Sequence, residues 1–228
     1  TPTDATFSEQ RDAILAYVAS VDMDDMQLMA GEFARRGLGT CAISPTRYST
    51  NHNGLVESFT NAGKQEIVSV KLDDSVLSCD ADGILDGGET GKLTIEVQNN
   101  GAVALTNTTV TVTTITPGVI FSGTNTASIA SLNAYSKTNV TFDVGGGGKI
   151  APTKIDLDVD VHNPAGCTAH VALKADNRID VDDVASNSKT DNVDSEKSTW
   201  KATGDVAEVW ARGREADVSI VEMVPALR

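Results

Sequence analysis

Aromatic residues, cysteine, histidine and basic charge are all scarce in this 228-residue sequence. Lys and Arg number 18 against 32 Asp and Glu, so the formal charge is −14, and only 4% of the residues are aromatic. A strongly acidic surface repels nucleic acids and anionic membranes, so we expect neither as a partner. No apolar run approaches the roughly 18 residues that a membrane helix needs, so we expect no membrane insertion. The 40% of hydrophobic residues suffice for a buried core.

The local motifs of common enzyme classes are also missing. The sequence contains no HExxH, no GxSxG, no GxxxxGK[ST] and no GxGxxG after a predicted strand. His162 and His170 are eight residues apart on different predicted strands, so they cannot form a helical zinc site, and we expect a structural role for each. The residues themselves therefore argue against an enzyme.

The three cysteines are far apart and form no CxxC pair, which excludes a zinc ribbon or a thioredoxin-type motif. One disulfide with one thiol left over is the simplest arrangement, and three buried free thiols are the alternative. Because Cys79 and Cys167 each flank the predicted sandwich, we expect these two to pair. Cys41 would then be unpaired or bonded to a segment outside this chain.

Residues 1–63 are predicted to form a small helical segment. From Glu9 to Arg36 apolar residues recur at spacings of three and four, which is typical of amphipathic helices. One of the three aspartates at positions 22, 24 and 25 can cap the second helix, and Gly37 can end it. The pattern therefore predicts a helical pair.

From residue 64 to residue 175 the period of the apolar residues changes to two. Seven segments alternate or run apolar over four to eight residues and are separated by turn residues. The fold class predicted is mainly β, an antiparallel Ig-like β-sandwich preceded by the small α-helical segment. Residues 176–228 begin with a long polar stretch and end with a short apolar run, which is typical of a linker followed by the start of a further module or by strands added to the sandwich.

A candidate metal site lies in the sequence CDADGILDGGETG. Four carboxylates crowd into ten residues, and the interspersed glycines let the backbone turn so that several oxygens face one point. Carboxylates packed this closely repel one another unless a cation neutralises them, so a structural calcium ion is predicted. A solvated acidic turn is the alternative. The predicted ligands are Asp80, Asp82, Asp86 and Glu89, and Asp73 and Asp74 could join the same site.

A second acidic series, Asp156, Asp158 and Asp160, alternates with apolar residues. A period of two places all three carboxylates on one face of one strand. We expect this to be a solvated outer face.

Three stretches together resemble a known protein family. RDAILAYVAS, GEFARRGLGT and GLVESF resemble the C-terminal end of the catalytic domain in fungalysin-type secreted zinc metallopeptidases. The stretch SCDADGILDGGETGKLTIEVQNNGAVALTNTTV resembles the β-sandwich appended to bacterial members, and TDNVDSEKSTWKATGD resembles the connector to a further C-terminal module.

The resemblance implies that the chain is a noncatalytic, C-terminal part of a bacterial secreted or cell-surface protease. Family catalysis requires the HExxH residues and a downstream glutamate, so no catalytic residue carries over and any zinc would lie only in the missing catalytic domain. That domain of the same polypeptide would be the partner. The alternative function is an extracellular structural or adhesive protein that self-associates or binds another protein through exposed β edges.

Overall fold

Among the described residues, two helices come first along the chain and eight strands follow them. The computed structural model describes residues 3–78, 82–146 and 153–179. The helices are α1 (Phe7–Val21) and α2 (Met23–Arg35). The strands are β1 (Gln65–Leu77), β2 (Thr90–Asn99), β3 (Leu105–Thr114), β4 (Val119–Phe121), β5 (Thr126–Leu132), β6 (Lys137–Gly146), β7 (Thr153–His162) and β8 (His170–Ile179).

The helix boundaries follow from side-chain capping. Thr6 and Glu9 form a reciprocal capping box at the start of α1. The carboxylate of Asp22 accepts hydrogen bonds from the backbone N–H groups of Asp24 and Asp25 and so caps α2, as the sequence predicts. Gly37 follows α2 with a φ of 80°, a left-handed conformation that glycine adopts without a steric penalty.

The strands form two antiparallel four-stranded sheets, which confirms the mainly β sandwich. One sheet has the order β1-β2-β6-β4 and the other β5-β3-β7-β8. Alternate residues of both sheets point inward, so that β2 contributes Leu93, Ile95 and Val97 to a core in which none of the three is exposed. Burial of this apolar surface between the sheets is the main stabilising contribution.

The helical segment packs on one end of the sandwich. A second apolar cluster joins Leu15 of α1 and Met26 of α2 to Ala102 and Ala134 from loops of the sandwich. Gln27 Nε2 donates a hydrogen bond to the carbonyl of Ala102 at 2.6 Å. The helices are therefore packed directly against the β-domain.

The predicted pairing of Cys79 with Cys167 is wrong. Cys167 forms a disulfide with Cys41, with the two Cα atoms 5.2 Å apart. The physical reason is that Gly63 and Gly166 form a parallel bridge, which brings the loop before β8 against the end of the helical segment. The backbone N–H of Cys167 donates to the carbonyl of Gly63 at 2.9 Å in the same contact. Cys79 lies outside the described residues.

Candidate functional site

The described part of the acidic loop uses its carboxylates to hold its own backbone. Asp82 Oδ1 accepts the N–H of Ile84 at 2.8 Å, and Glu89 Oε2 accepts the N–H of Asp86 at 3.0 Å. Glu89 is only 2% exposed. These bonds satisfy backbone donors in a tight turn, so two of the predicted ligands also have a structural role.

Asp74 connects β1 to this loop. Its side chain is 6% exposed, and Ser78 Oγ donates to its Oδ2 at 2.7 Å. The Ser78 hydroxyl lowers the pKa of Asp74, and hydrogen bonds from the backbone of Gly83 and Asp82 act in the same direction. The inclusion of Asp74 in the predicted calcium site stays a prediction.

Asp73 lies beside Asp74 on the same strand. Its Oδ1 accepts the backbone N–H of Ser75 at 3.0 Å. The side-chain hydrogen bond with Ser75 lowers the pKa of Asp73, and backbone hydrogen bonds from Ser75 and Lys92 add to the shift. Both aspartates are therefore held in the ionised form by donors around them.

A complete cation cage is not assembled by the residues that the structure describes. Among them no group of three or more His, Cys, Asp or Glu side chains is arranged to hold a metal ion. The predicted ligand Asp80 lies outside the described residues. The calcium assignment to Asp80, Asp82, Asp86 and Glu89 therefore stays a prediction.

The second acidic series lies on the outer face of β7, as predicted. Asp156 and Asp158 are exposed, and the intervening Leu157 and Val159 are buried in the core. Lys174 of β8 lies opposite Asp158, with its Nζ 3.0 Å from Oδ1. Because Asp156, Asp158 and Lys174 are exposed, this face of β7 and β8 is a solvated surface. An ion pair exposed in this way contributes little to stability.

Two histidines that the sequence places on different strands meet on this face. His162 and His170 are directly opposite in the β7–β8 register, and their ring centroids are 4.2 Å apart. The stretch HNPAGCTAH carries turn residues between the two histidines, but these residues do not by themselves fix the register that pairs the histidines. Asp160, two residues before His162, lies 3.1 Å from His170 Nδ1.

The helical segment presents an unusual amount of exposed apolar surface. Phe7, Tyr17 and Val21 of α1 are between 72% and 77% exposed, while Leu15 on another face of the same helix is buried. Leu28 of α2 is 70% exposed and lines an open groove of about 410 Å³ with Met29, Glu32, Phe33 and Arg36. Ten of the seventeen large hydrophobic residues exposed in the described part of the chain lie between Phe7 and Phe59, so this surface is concentrated on the helical segment.

Comparisons with known proteins do not place the chain in a family. No protein-family model matches the chain, and no curated protein matches it. A FixG-related protein from Vibrio parahaemolyticus is 11% identical with a TM-score of 0.32, over 53% of this chain and 96% of that one.

Two further solved structures are of the same kind. The CARDB domain of the PF1109 protein from Pyrococcus furiosus, determined in complex with di-metal ions, is 12% identical with a TM-score of 0.31, over 50% of this chain and 87% of that one. The PapD-like domain 7 of human CEP192 is 17% identical with a TM-score of 0.33, over 57% of this chain and 93% of that one. At these identities and TM-scores the similarities carry no information on function.

No helix among the described residues is both long enough and apolar enough to cross a lipid bilayer.

Proposed function

We propose that this chain is a noncatalytic region of a secreted zinc metallopeptidase of the fungalysin type. Its helical segment would close the catalytic domain, and its sandwich would serve attachment, secretion or stability. The observation that carries the proposal is the exposed apolar surface of α1. Large apolar side chains exposed together on one helix are typical of a surface that contacts another folded part.

The distribution of apolar residues around α1 gives the physical argument. One face packs Leu15 into the second cluster, and a neighbouring face carries Phe7, Ile14, Tyr17 and Val21. A helix that is apolar on several faces is typical of a buried helix. Burying one large apolar side chain contributes roughly 1.5–3 kcal/mol, so covering several of them would drive docking. The occupant that we propose is the catalytic domain of the same polypeptide.

The disulfide supports a secreted or cell-surface location. Cys41 and Cys167 close a loop of 126 residues, and disulfides persist in oxidising compartments. The bond fastens the helical segment to the sandwich. Such a link would keep the two parts together in an oxidising environment outside the cell.

Calcium would act structurally in this proposal. Asp74 and Glu89 are buried carboxylates on either side of the acidic loop, and Asp82 and Asp86 lie between them in the sequence. A cation bound by the loop would neutralise this charge and stabilise the folded state by mass action.

The assignment is tested by the gene and by a reconstitution. The reading frame upstream of Thr1 should encode a helix with HExxH. A reading frame that encodes no HExxH helix would contradict the metallopeptidase proposal. When the upstream domain is produced separately, it should bind this chain. A Tyr17→Ser/Val21→Ser variant should lose binding, while a variant with Ile115→Ser, an exposed residue of the sandwich, should keep it.

A second candidate function is assembly through sheet edges. Within the described residues β5 and β8 are the outer strands of one sheet, and β8 pairs with β7 without a bulge over ten residues. A regular outer strand offers backbone donors and acceptors to an added strand. Concentration-dependent oligomers in size-exclusion chromatography would support this function, and a monomer at high concentration would count against it.

A further inference from the structure

The histidine pair on the outer face of the β7–β8 hairpin has a specific hydrogen-bonding pattern. His162 Nδ1 lies 3.0 Å from the carbonyl oxygen of Ala169. His170 Nδ1 lies 3.1 and 3.2 Å from the two carboxylate oxygens of Asp160. Each ring therefore has one nitrogen against an oxygen that accepts hydrogen bonds.

These contacts determine the tautomer of each neutral ring. A carbonyl oxygen and a carboxylate accept hydrogen bonds and donate none, so each Nδ1 carries the hydrogen. Each Nε2 then has a free lone pair. A histidine that donates its second N–H to a carbonyl or a carboxylate is the arrangement that orients imidazole ligands of metal ions and raises their basicity.

We propose that His162 and His170 form a two-histidine chelate for a divalent transition-metal ion, with zinc as the ion to be tested. Both Nε2 atoms would bind the ion, and Asp160 would act as a positioning residue for His170. Zinc–nitrogen bonds are about 2.0–2.1 Å long, so two nitrogens on one ion are no more than about 4 Å apart. The rings lie side by side, with their centroids 4.2 Å apart and their planes tilted by 32°, so the two imidazoles are neighbours on one face of the hairpin.

The chemistry of the donors selects the metal. Imidazole suits zinc, copper and nickel, whereas calcium and magnesium prefer oxygen ligands. The neighbouring Asp158 and Asp160 and the overall charge of −14 would raise the local concentration of cations. Because no third His, Cys, Asp or Glu ligand converges here among the described residues, the remaining positions on the ion would be taken by water or by a ligand from another molecule.

Calorimetric titration of the full chain with Zn²⁺, in an excess of Ca²⁺ that occupies carboxylate sites, tests the proposal. His162→Gln and His170→Gln should each weaken binding by about tenfold or more, and Asp160→Asn by about 10- to 100-fold. His52→Gln is the matched control, because His52 is the one other histidine of the chain, and it should bind zinc like the wild type. If the double variant His162→Gln/His170→Gln bound zinc with the affinity of the wild type, the proposal would be overturned.

A measurement on the wild-type protein makes the test independent of how the variants fold. ¹⁵N NMR of the imidazole rings should show the hydrogen on Nδ1 of both His162 and His170, and zinc should shift both Nε2 signals. In Asp160→Asn the preference of His170 for this tautomer should weaken while that of His162 persists, a change that a purely structural role for Asp160 would not produce. Nε2 signals that do not respond to zinc would contradict the assignment.

Discussion

Cys41 in the loop after α2 is bonded to Cys167 in the loop before β8, so one covalent link joins the helical segment to the far end of the sandwich sequence. The bonded residues are 126 positions apart. A link across so long a loop removes much of the conformational freedom of the unfolded chain. The disulfide and the glycine bridge beside it are therefore expected to act together in holding the helices to the sandwich.

The first prediction concerns this disulfide. A Cys41→Ala/Cys167→Ala variant should lose about 2–4 kcal/mol of unfolding free energy, because the unfolded chain regains its freedom. Urea denaturation checks the value. Cys79→Ser is the control and should leave the unfolding free energy nearly unchanged. A loss in Cys79→Ser as large as that in the double variant would show that Cys79 is the bonded residue.

The second prediction compares two glycines of the helical segment. A Cβ atom on Gly39 would collide with the carbonyl oxygen of Thr60 and lie 2.7 Å from that of Ser58. Because backbone atoms form this contact, Gly39→Ala should destabilise the fold by about 1–3 kcal/mol. A Cβ on Gly31 in α2 would meet no atom within 4 Å, so Gly31→Ala should stabilise the protein by up to about 1 kcal/mol. Thermal denaturation of both variants should give shifts of opposite sign, and shifts of the same sign would contradict the packing described.

The third prediction concerns calcium. Addition of a calcium chelator should lower the melting temperature, because the folded state loses a ligand; the effect is about 2.7 kcal/mol when free calcium stands at 100 times its dissociation constant. Asp82→Asn/Asp86→Asn should abolish the sensitivity. Asp156→Asn/Asp158→Asn, which changes the same number of carboxylates on the outer face of β7, should retain it. If the chelator left the melting temperature of the wild type unchanged, the calcium site would be refuted.

The fourth prediction concerns acid. Asp73 and Asp74 have pKa values lowered from the ordinary 3.8 by hydrogen bonds that require the ionised form. Their contribution to stability is complete above the unfolded pKa and is lost as the pH falls through the lowered folded values. Stability measured from pH 6 downward should therefore decline below about pH 4. Asp74→Asn should make this decline shallower. A pH profile of stability in that variant equal to that of the wild type would show that Asp74 does not contribute to the decline.

Much of the fold could be predicted from residue alternation. β2 and β7 alternate large apolar and polar residues, which fixes both the strand and the face that it buries. The seven predicted segments do not include β5, whose sequence is TASIASL, because Ala and Ser give little contrast between its faces and only Ile129 and Leu132 are buried hydrophobic residues.

The contacts between distant loops could not be predicted in the same way. Neither Cys41 nor Cys167 lies in a periodic element, so nothing in the pattern around them indicates which residue each one meets. The pairing of His162 with His170 depends on the register of a hairpin with seven residues between its ends, and turn signals alone do not fix that register. The Cys41–Cys167 bond and the His162–His170 pairing both depend on how separate parts of the chain come together in the fold.

The central claim, that the apolar face of α1 is covered by another domain of a longer polypeptide, is tested most directly by hydroxyl-radical footprinting. Phe7 and Tyr17 should be modified rapidly in this chain alone and slowly in the polypeptide extended upstream, because the second domain would shield their rings. Ile115, which is 87% exposed on the sandwich, is the internal control and should be modified at the same rate in both. Equal modification of Phe7 and Tyr17 in the two proteins would contradict the claim.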